Sequence, residues 1–375
     1  MTRVLLAPDK FKGTLTAAEV AGYLAEGIRA CRPEIELATV PVADGGDGLL
    51  DAFETAGFKR VRTVAAGPSG TSTATSYVRR GPDAVIELAA VSGLAALGDD
   101  LAPLTATSRG VGEVIAAALD AGCTHIVLGI GGSACTDGGI GMLQALGALV
   151  LDRSGAAVGD GGLGAQSATR LVLTGLHPLL ERANVEVACD VDNPLTGATG
   201  AAAVYGPQKG ASPEQVALLD SALTGWADVV AATTGRDLRD TQGAGAAGGV
   251  GFAAVAVLGA SLRPGVDVVL ELIGFAEHLV GADLVVTGEG SLDEQTLHGK
   301  APAGVAAAAR AQGVPVVAVA GRCLLDAGRL RVAGFDAVHT LLEESAGTDE
   351  AFTAPGPLLR AIGARIAEGI VAARP

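Results

Sequence analysis

Aromatic side chains are scarce in this 375-residue chain, which holds one Trp, three Tyr and seven Phe. Too few rings remain to build a surface on which nucleobases stack. Basic charge is also in short supply. With 26 Lys and Arg against 41 Asp and Glu, the formal net charge is −15, the opposite of what a phosphate-backbone binder needs. The five cysteines (31, 123, 135, 189 and 323) are dispersed and form no CxxC pair, which fits reduced thiols and neither a disulfide framework nor a zinc site. The five histidines have no metal-ligand spacing. Long apolar runs are missing too: the longest uncharged stretch, 241–262, contains six glycines, and its dense apolar part, 250–262, is too short to cross a bilayer and reads as a core helix. Only VLLAP separates Arg3 from Asp9, so the start lacks a signal peptide's apolar region. The expectation is a cytoplasmic protein that binds neither nucleic acid nor membrane.

What the chain does have is apolar bulk. Hydrophobic residues make up 49% of it, which excludes a disordered chain, and its length suggests two or three domains. Short buried-looking runs recur at RVLLAPD (3–9), IELATVPVAD (35–44), AVIELAA (84–90), HIVLGIG (125–131), VEVACDV (185–191), DLVVTGEG (283–290), PVVAVAG (315–321) and DAVHTLL (336–342). Helical patterns separate them. One opens at Thr16-Ala17-Ala18-Glu19, which has capping-box spacing, and runs to about Cys31; another runs from Ser212 to about Ala232. Such alternation predicts α/β architecture, with parallel sheet covered on both faces. The two ends of the chain are the most regular, so a discontinuous domain built from both termini, with the middle inserted, is the expected organisation.

In open parallel sheets, ligands bind beyond the carboxyl ends of the strands. Five strand ends here are loaded with polar residues and glycine. Asp9-Lys10-Phe11-Lys12-Gly13 reads either as a solvated turn or as part of a site. Asp44 and Asp47, in DGGDG, read as site carboxylates or as caps of the next helix. Gly131, Gly132 and Ser133, in GIGGSACTDGG, offer backbone N–H groups to an anion or serve turn geometry alone. Asp190, Asp192 and Asn193 place two carboxylates and an amide directly after a strand, suited to Mg²⁺ or to a base, with an Asx turn before Pro194 as the alternative. Glu289, Asp293, His298 and Lys300 form the fifth group, with a helix cap as the alternative for Asp293. Only five of the basic residues are lysines. Arginine is the default cation, so Lys10, Lys12, Lys209 and Lys300, all in Gly- or Asp-containing segments, point to the compact charge that phosphate sites use. Lys59 has no such setting.

Several signatures are missing. There is no GxxxxGK[ST], no HRD or DFG and no GxSxG. Residues 129–134 match GxGxxA, and Asp152 follows where a ribose-binding acid would sit, yet SACTDGG predicts irregular chain where a dinucleotide-binding helix should begin.

Taken in order, APDKFKGTLTA, PVADGGDG, GIGGSACTDGG, VACDVDNPLTG with YGPQKGA, GAGAAGG and TGEGSLDEQTLHGKAP resemble the bacterial glycerate kinases, over residues 1 to about 321. The resemblance implies transfer of the ATP γ-phosphoryl group to a hydroxyl of D-glycerate with Mg²⁺, giving 2-phosphoglycerate, with 3-phosphoglycerate as the other product. It implies two α/β domains, one Rossmann-like and discontinuous (1–66 and 280–375) and one inserted (67–279), with the site in the cleft between them and a homodimer as the candidate assembly. Asp190, at the end of a buried strand, is the first choice for the base, with Asp44 and Asp293 as alternatives and Lys12 as a catalytic cation. Arg322, Lys300, Lys10 and His298 are assigned to the substrate, whose carboxylate requires a cation. Gly131, Gly132, Ser133, Asp137 and Lys209 are assigned to the nucleotide, and Asp192, Asp47 and Glu289 to Mg²⁺. Two other classes stay open: an NAD(P)-dependent oxidoreductase of a small hydroxy acid, and a sugar-acid binding protein without catalysis.

Overall fold

The computed structural model describes residues 2–345 and 348–372. The chain forms two compact units. The first comprises Met1–Asp44, Asp51–Ala56 and Pro264–Pro375, and the second Gly45–Leu50 and Gly57–Arg263.

The first unit is built on a five-stranded parallel sheet. Arg3–Pro8 has Glu36–Thr39 on one side and Leu284–Leu292, Val316–Cys323 and Ala337–Thr340 in succession on the other. Val4, Leu5, Leu6 and Ala7 are fully buried, as expected of a strand covered on both faces. The helix Ala17–Cys31 starts at the expected capping box: the Thr16 side chain accepts from the Glu19 N–H (3.2 Å), and the Glu19 carboxylate accepts from the Thr16 N–H (2.8 Å). Its buried face, with Val20, Leu24 and Ile28, shares a core with Leu359 and Ile362 of the C-terminal helix Pro355–Ala372.

The second unit holds a six-stranded sheet in the order Ser261–Arg263, Asn184–Ala188, His125–Gly129, Asp83–Glu87, Ser72–Arg80, Lys59–Ala66. The first four strands are parallel and the last two antiparallel. The parallel sheet expected from the sequence is thus extended here by an antiparallel hairpin. The short turn at residues 67–71 can close a hairpin, whereas a parallel crossover needs a dozen residues or more. The hairpin corrects the boundary at residue 66, because Lys59–Ala66 pairs with Ser72–Arg80 and belongs to the second unit, while residues 264–279 belong to the first.

The helix Pro213–Thr234 is long and apolar enough, by length and composition, to cross a membrane. In the fold its Leu219, Leu223, Trp226 and Val230 are fully buried, and Trp226 Nε1 donates to the Gly138 carbonyl at 3.0 Å. The apolar stretch after residue 250 is helical to Val257 and then becomes the short strand Ser261–Arg263.

Candidate active site

In the first unit, polar groups collect beyond the carboxyl ends of the central strands. Asp9 follows Arg3–Pro8, and its N–H donates to the Gly288 carbonyl at 2.8 Å. Only 6% of Asp9 is exposed, and the Lys10 N–H donates to its Oδ1 at 2.6 Å. Burial, the negative charge of Asp44 and, more weakly, that of Glu289 push the Asp9 carboxyl up to about 7, against the opposing pull of Lys10. Glu289, on the neighbouring strand, is also buried. Its carboxylate accepts a short hydrogen bond from the Thr296 hydroxyl and lies 3.6 Å from Lys300 Nζ. Burial raises its proton affinity, and these two partners oppose the rise. Asp293 shapes the turn that returns Thr296 to this place: its Oδ1 accepts from the Gln295 N–H (2.9 Å), and its own N–H donates to Thr296 Oγ1 (3.0 Å). Arg322 is exposed and donates from Nε to Ser291 Oγ at 3.1 Å across paired strands. Lys10 and Asp44 are half-buried and Lys12 is exposed.

The second unit builds its strand-end surface from backbone. After His125–Gly129 the chain stays irregular until the helix Ile140–Ala145, as the sequence predicts. Asp137, fully buried, holds this loop: Oδ2 accepts from the N–H and hydroxyl of Ser108 (both 2.8 Å) and from the Gly141 N–H (3.2 Å), and Oδ1 from the Gly139 N–H (3.0 Å). A buried carboxylate needs such donors; burial pushes its pKa up and they pull it down. Lys209, 2% exposed, donates from Nζ to Ser133 Oγ (2.9 Å) and to the Cys135 carbonyl (2.6 Å), and its burial lowers its pKa.

Backbone packing completes the assembly. Ala247, Gly248 and Gly249 have φ of 52°, 66° and 94°, three left-handed residues in succession. The Gly248 carbonyl accepts from the Gly138 N–H at 2.9 Å, and a Cβ at Gly248 would lie 2.1 Å from the Cys135 carbonyl oxygen. The Gly245 N–H reaches the Asn193 carbonyl at 2.9 Å. Three of the sequence motifs, 129–139, 189–197 and 243–249, are thus bonded to one another. Gly132, with φ of 69°, faces the Asp47 side chain: a Cβ there would stand 2.9 Å from Asp47 Oδ1. Glu87, nearly buried, accepts from the N–H groups of Gly48 (3.3 Å) and Leu50 (3.1 Å) and so caps the helix Leu49–Thr55.

Several assignments change. Asp190 does not end a buried strand: the strand stops at Ala188, and Asp190 and Asp192 are both exposed. Asp137 and Lys209 direct their polar atoms to the loop itself, so they shape the nucleotide candidate surface from beneath rather than line it. Glu289, expected at Mg²⁺, is paired here with Thr296 and Lys300. The His298 side chain lies outside the described residues. Sequence reading left Asp9 and Thr296 without a role and missed Ser108 and Glu87. The signal for Asp9 was present, since a carboxylate directly after an apolar strand inside a sheet is held below the surface. Among the described residues, no three His, Cys, Asp or Glu side chains gather as a metal-binding group.

Two α/β units with lysines and carboxylates at strand ends, and a glycine turn beside a carboxylate, are parts that an enzyme of phosphoryl transfer uses. The comparisons specify it. The glycerate kinase family matches residues 4–371. A glycerate kinase of Bacillus subtilis (strain 168) is 42% identical over 354 residues, 93% of each chain, and a glycerate 2-kinase of Escherichia coli (strain K12) is 42% identical over 355 residues, again 93% of each. A crystal structure assigned as glycerate kinase 2 from Salmonella typhimurium LT2 superimposes with a TM-score of 0.87 at 39% identity, over 99% of both chains. The chain belongs to the glycerate kinase family. It is an ATP-dependent kinase whose acceptor is an alcohol.

Proposed function

We propose that this enzyme phosphorylates D-glycerate at its 2-hydroxyl, with MgATP as donor, to give 2-phosphoglycerate. The observation that carries the choice of position is the 42% identity, over 93% of each chain, to the relative named glycerate 2-kinase. The site chemistry supports the substrate class. Phosphoryl transfer relies on positioning and on neutralising the charge of the transferred group, and both parts have candidates here. Arg322 and Lys300 are the cations for the glycerate carboxylate, with Lys10 of the same unit as a third candidate. Lys12, exposed beyond the same strand end, is the candidate for charge developing on the phosphoryl oxygens. Gly131, Gly132 and Ser133 are the nucleotide turn, held in shape by Lys209 and Asp137.

Magnesium fits this arrangement. Asp47 Oδ1 stands beside Gly132, and a carboxylate next to a phosphate is repulsive unless a cation lies with them. Mg²⁺ characteristically takes one or two carboxylates plus phosphate oxygens, and Asp47 is the residue to hold it, with the exposed Asp192 as the second candidate. When bound, the ion neutralises charge on the β- and γ-phosphates. The free cysteines support a reducing, cytoplasmic setting. The oxidoreductase alternative loses its main support, because no helix starts directly after the GxGxxA segment.

The decisive measurement is ³¹P NMR of the product formed from ATP, Mg²⁺ and D-glycerate, with ADP release followed in parallel. The 2-phosphoglycerate resonance is expected. The 3-phosphoglycerate resonance would move the acceptor to the other hydroxyl, and glycerate binding without ADP release would return the binding-protein reading.

A further inference from the structure

We infer that Asp9 is the general base that removes the proton from the attacking hydroxyl, an assignment that rests on the kinase reading of this site. Asp9 stands at the carboxyl end of Arg3–Pro8, an interior strand of the first unit's sheet. One neighbouring strand carries Glu289, and the segment after the other leads to Asp44. Asp9 is held once through its backbone and once through its side chain. The Asp9 N–H is bonded to the Gly288 carbonyl, and the Lys10 N–H is bonded to Oδ1. A base must be held this way, because proton transfer depends on a carboxylate oxygen kept within hydrogen-bond reach of the hydroxyl.

The four carboxylates of this region are not equivalent. Glu289 has Lys300 as counter-charge and Thr296 as donor. Asp293 is engaged with the N–H of Gln295 in its own turn. Asp44 is half-buried. Asp9 is the most buried of them and meets two like charges, Asp44 and Glu289, against the single opposing cation Lys10. Burial and like charge both strengthen a carboxylate as a base. The resulting value, about 7, is close to the optimum for a group that must be ionised at neutral pH yet bind a proton well. In the step, the glycerate oxygen bonds to the γ-phosphorus while its proton passes to an Asp9 oxygen. The bond from the γ-phosphorus to the bridging oxygen breaks, and its electron pair leaves with ADP. Asp9 then returns the proton to solvent.

The test is steady-state kinetics of the full-length enzyme at saturating Mg²⁺. Asp9→Asn is expected to lower kcat by about 10²–10⁴-fold, the range for loss of general-base catalysis, with KM for glycerate and ATP little changed. The wild-type rate should rise with pH through about 7 as Asp9 ionises. Glu289→Gln removes a like charge and should move that rise to lower pH, while Lys10→Met removes the opposing cation and should move it to higher pH. These two profiles decide the assignment even if Asp9→Asn fails to fold, which thermal melting reports. A kcat above about a tenth of wild type in folded Asp9→Asn, outside the range for a lost base, would overturn the proposal. So would a pH profile that neither charge variant moves, and so would a defect in Asp9→Asn that extra Mg²⁺ repairs, which would make Asp9 a metal holder. Failure of the wild type to make any phosphoglycerate would instead refute the kinase reading.

Discussion

The two units place their charges in opposite ways. In the first, Asp9 and Glu289 stand toward the carboxyl ends of strands, where burial and like charge raise their proton affinity, and Lys300 lies 3.6 Å from Glu289. In the second, the buried charges Asp137 and Lys209 serve the loop's own polar atoms, and glycine backbone makes the turn beside Asp47. The contrast separates stability from chemistry. Charges turned toward a ligand are held at a cost to the fold, while charges turned toward backbone hold the fold together. Substitutions in the two units should therefore fail in different ways.

The largest effect is expected where backbone meets backbone. Gly248→Ala sets a Cβ 2.1 Å from the Cys135 carbonyl oxygen at a left-handed φ, and neither backbone has a flexible end that can yield. The loss should exceed about 4 kcal/mol, beyond the usual range for single substitutions, and chemical denaturation measures it. A loss under about 1 kcal/mol would mean that this apposition does not hold the loop.

Removing one charge from each unit sharpens the comparison, because the signs should be opposite. Asp9 has a folded-state pKa raised to about 7 from an ordinary 3.8. A raised carboxyl favours folding only while it is protonated, and that advantage disappears as pH rises from about 4 through 7. At pH 8 the ionised group opposes folding, so Asp9→Asn should raise stability there, with a ceiling of about 4 kcal/mol from roughly three pK units at 1.36 kcal/mol each. At pH 3 the gain should vanish. Lys209→Met goes the other way: it leaves Ser133 Oγ and the Cys135 carbonyl without their buried donor and should cost about 1–3 kcal/mol. It should also raise KM for ATP more than KM for glycerate if, as proposed, Ser133 belongs to the nucleotide turn. Equal changes in both constants would mean that Lys209 supports the fold alone.

The sequence was most informative where burial is repetitive. Runs such as RVLLAP and HIVLG are apolar on both faces, so the strands and their parallel neighbours could be read directly, as could the cap at Thr16. The hairpin Lys59–Ala66 with Ser72–Arg80 was not legible, because charged residues and threonines interrupt its apolar pattern on an exposed edge. Site residues were named more readily than their orientations. Lys209 and Asp137 stand in segments rich in glycine, but whether a charge points outward or back into a loop depends on partners such as Ser108 that lie far away in sequence. Asp9 read equally as a solvated turn or as part of a site, because its depth comes from neighbouring strands distant in the chain.

Asp190 is where the smallest effect is expected, and there the sequence and the structure diverge most. The run VEVACDV suggests a strand that carries Asp190 at its rigid end. In the fold, pairing with His125–Gly129 ends at Ala188, with the Cys189 N–H reaching the Arg263 carbonyl as the last step. Beyond it the loop is organised around Asn193, whose side chain donates to the Thr199 carbonyl (2.8 Å) and accepts from the Tyr205 hydroxyl (2.5 Å). Asp190 itself is exposed. Asp190→Asn should therefore leave stability within about 0.5 kcal/mol, as surface changes usually do, and should keep kcat within a factor of about ten, short of the 10²–10⁴ expected for a lost base. Measured beside Asp9→Asn in the same assay, it serves as the matched control: the same change from carboxylate to amide, at one exposed and one buried strand end. A hundredfold loss of kcat at Asp190 with Asp9→Asn active would reverse the assignment and place the base in the second unit.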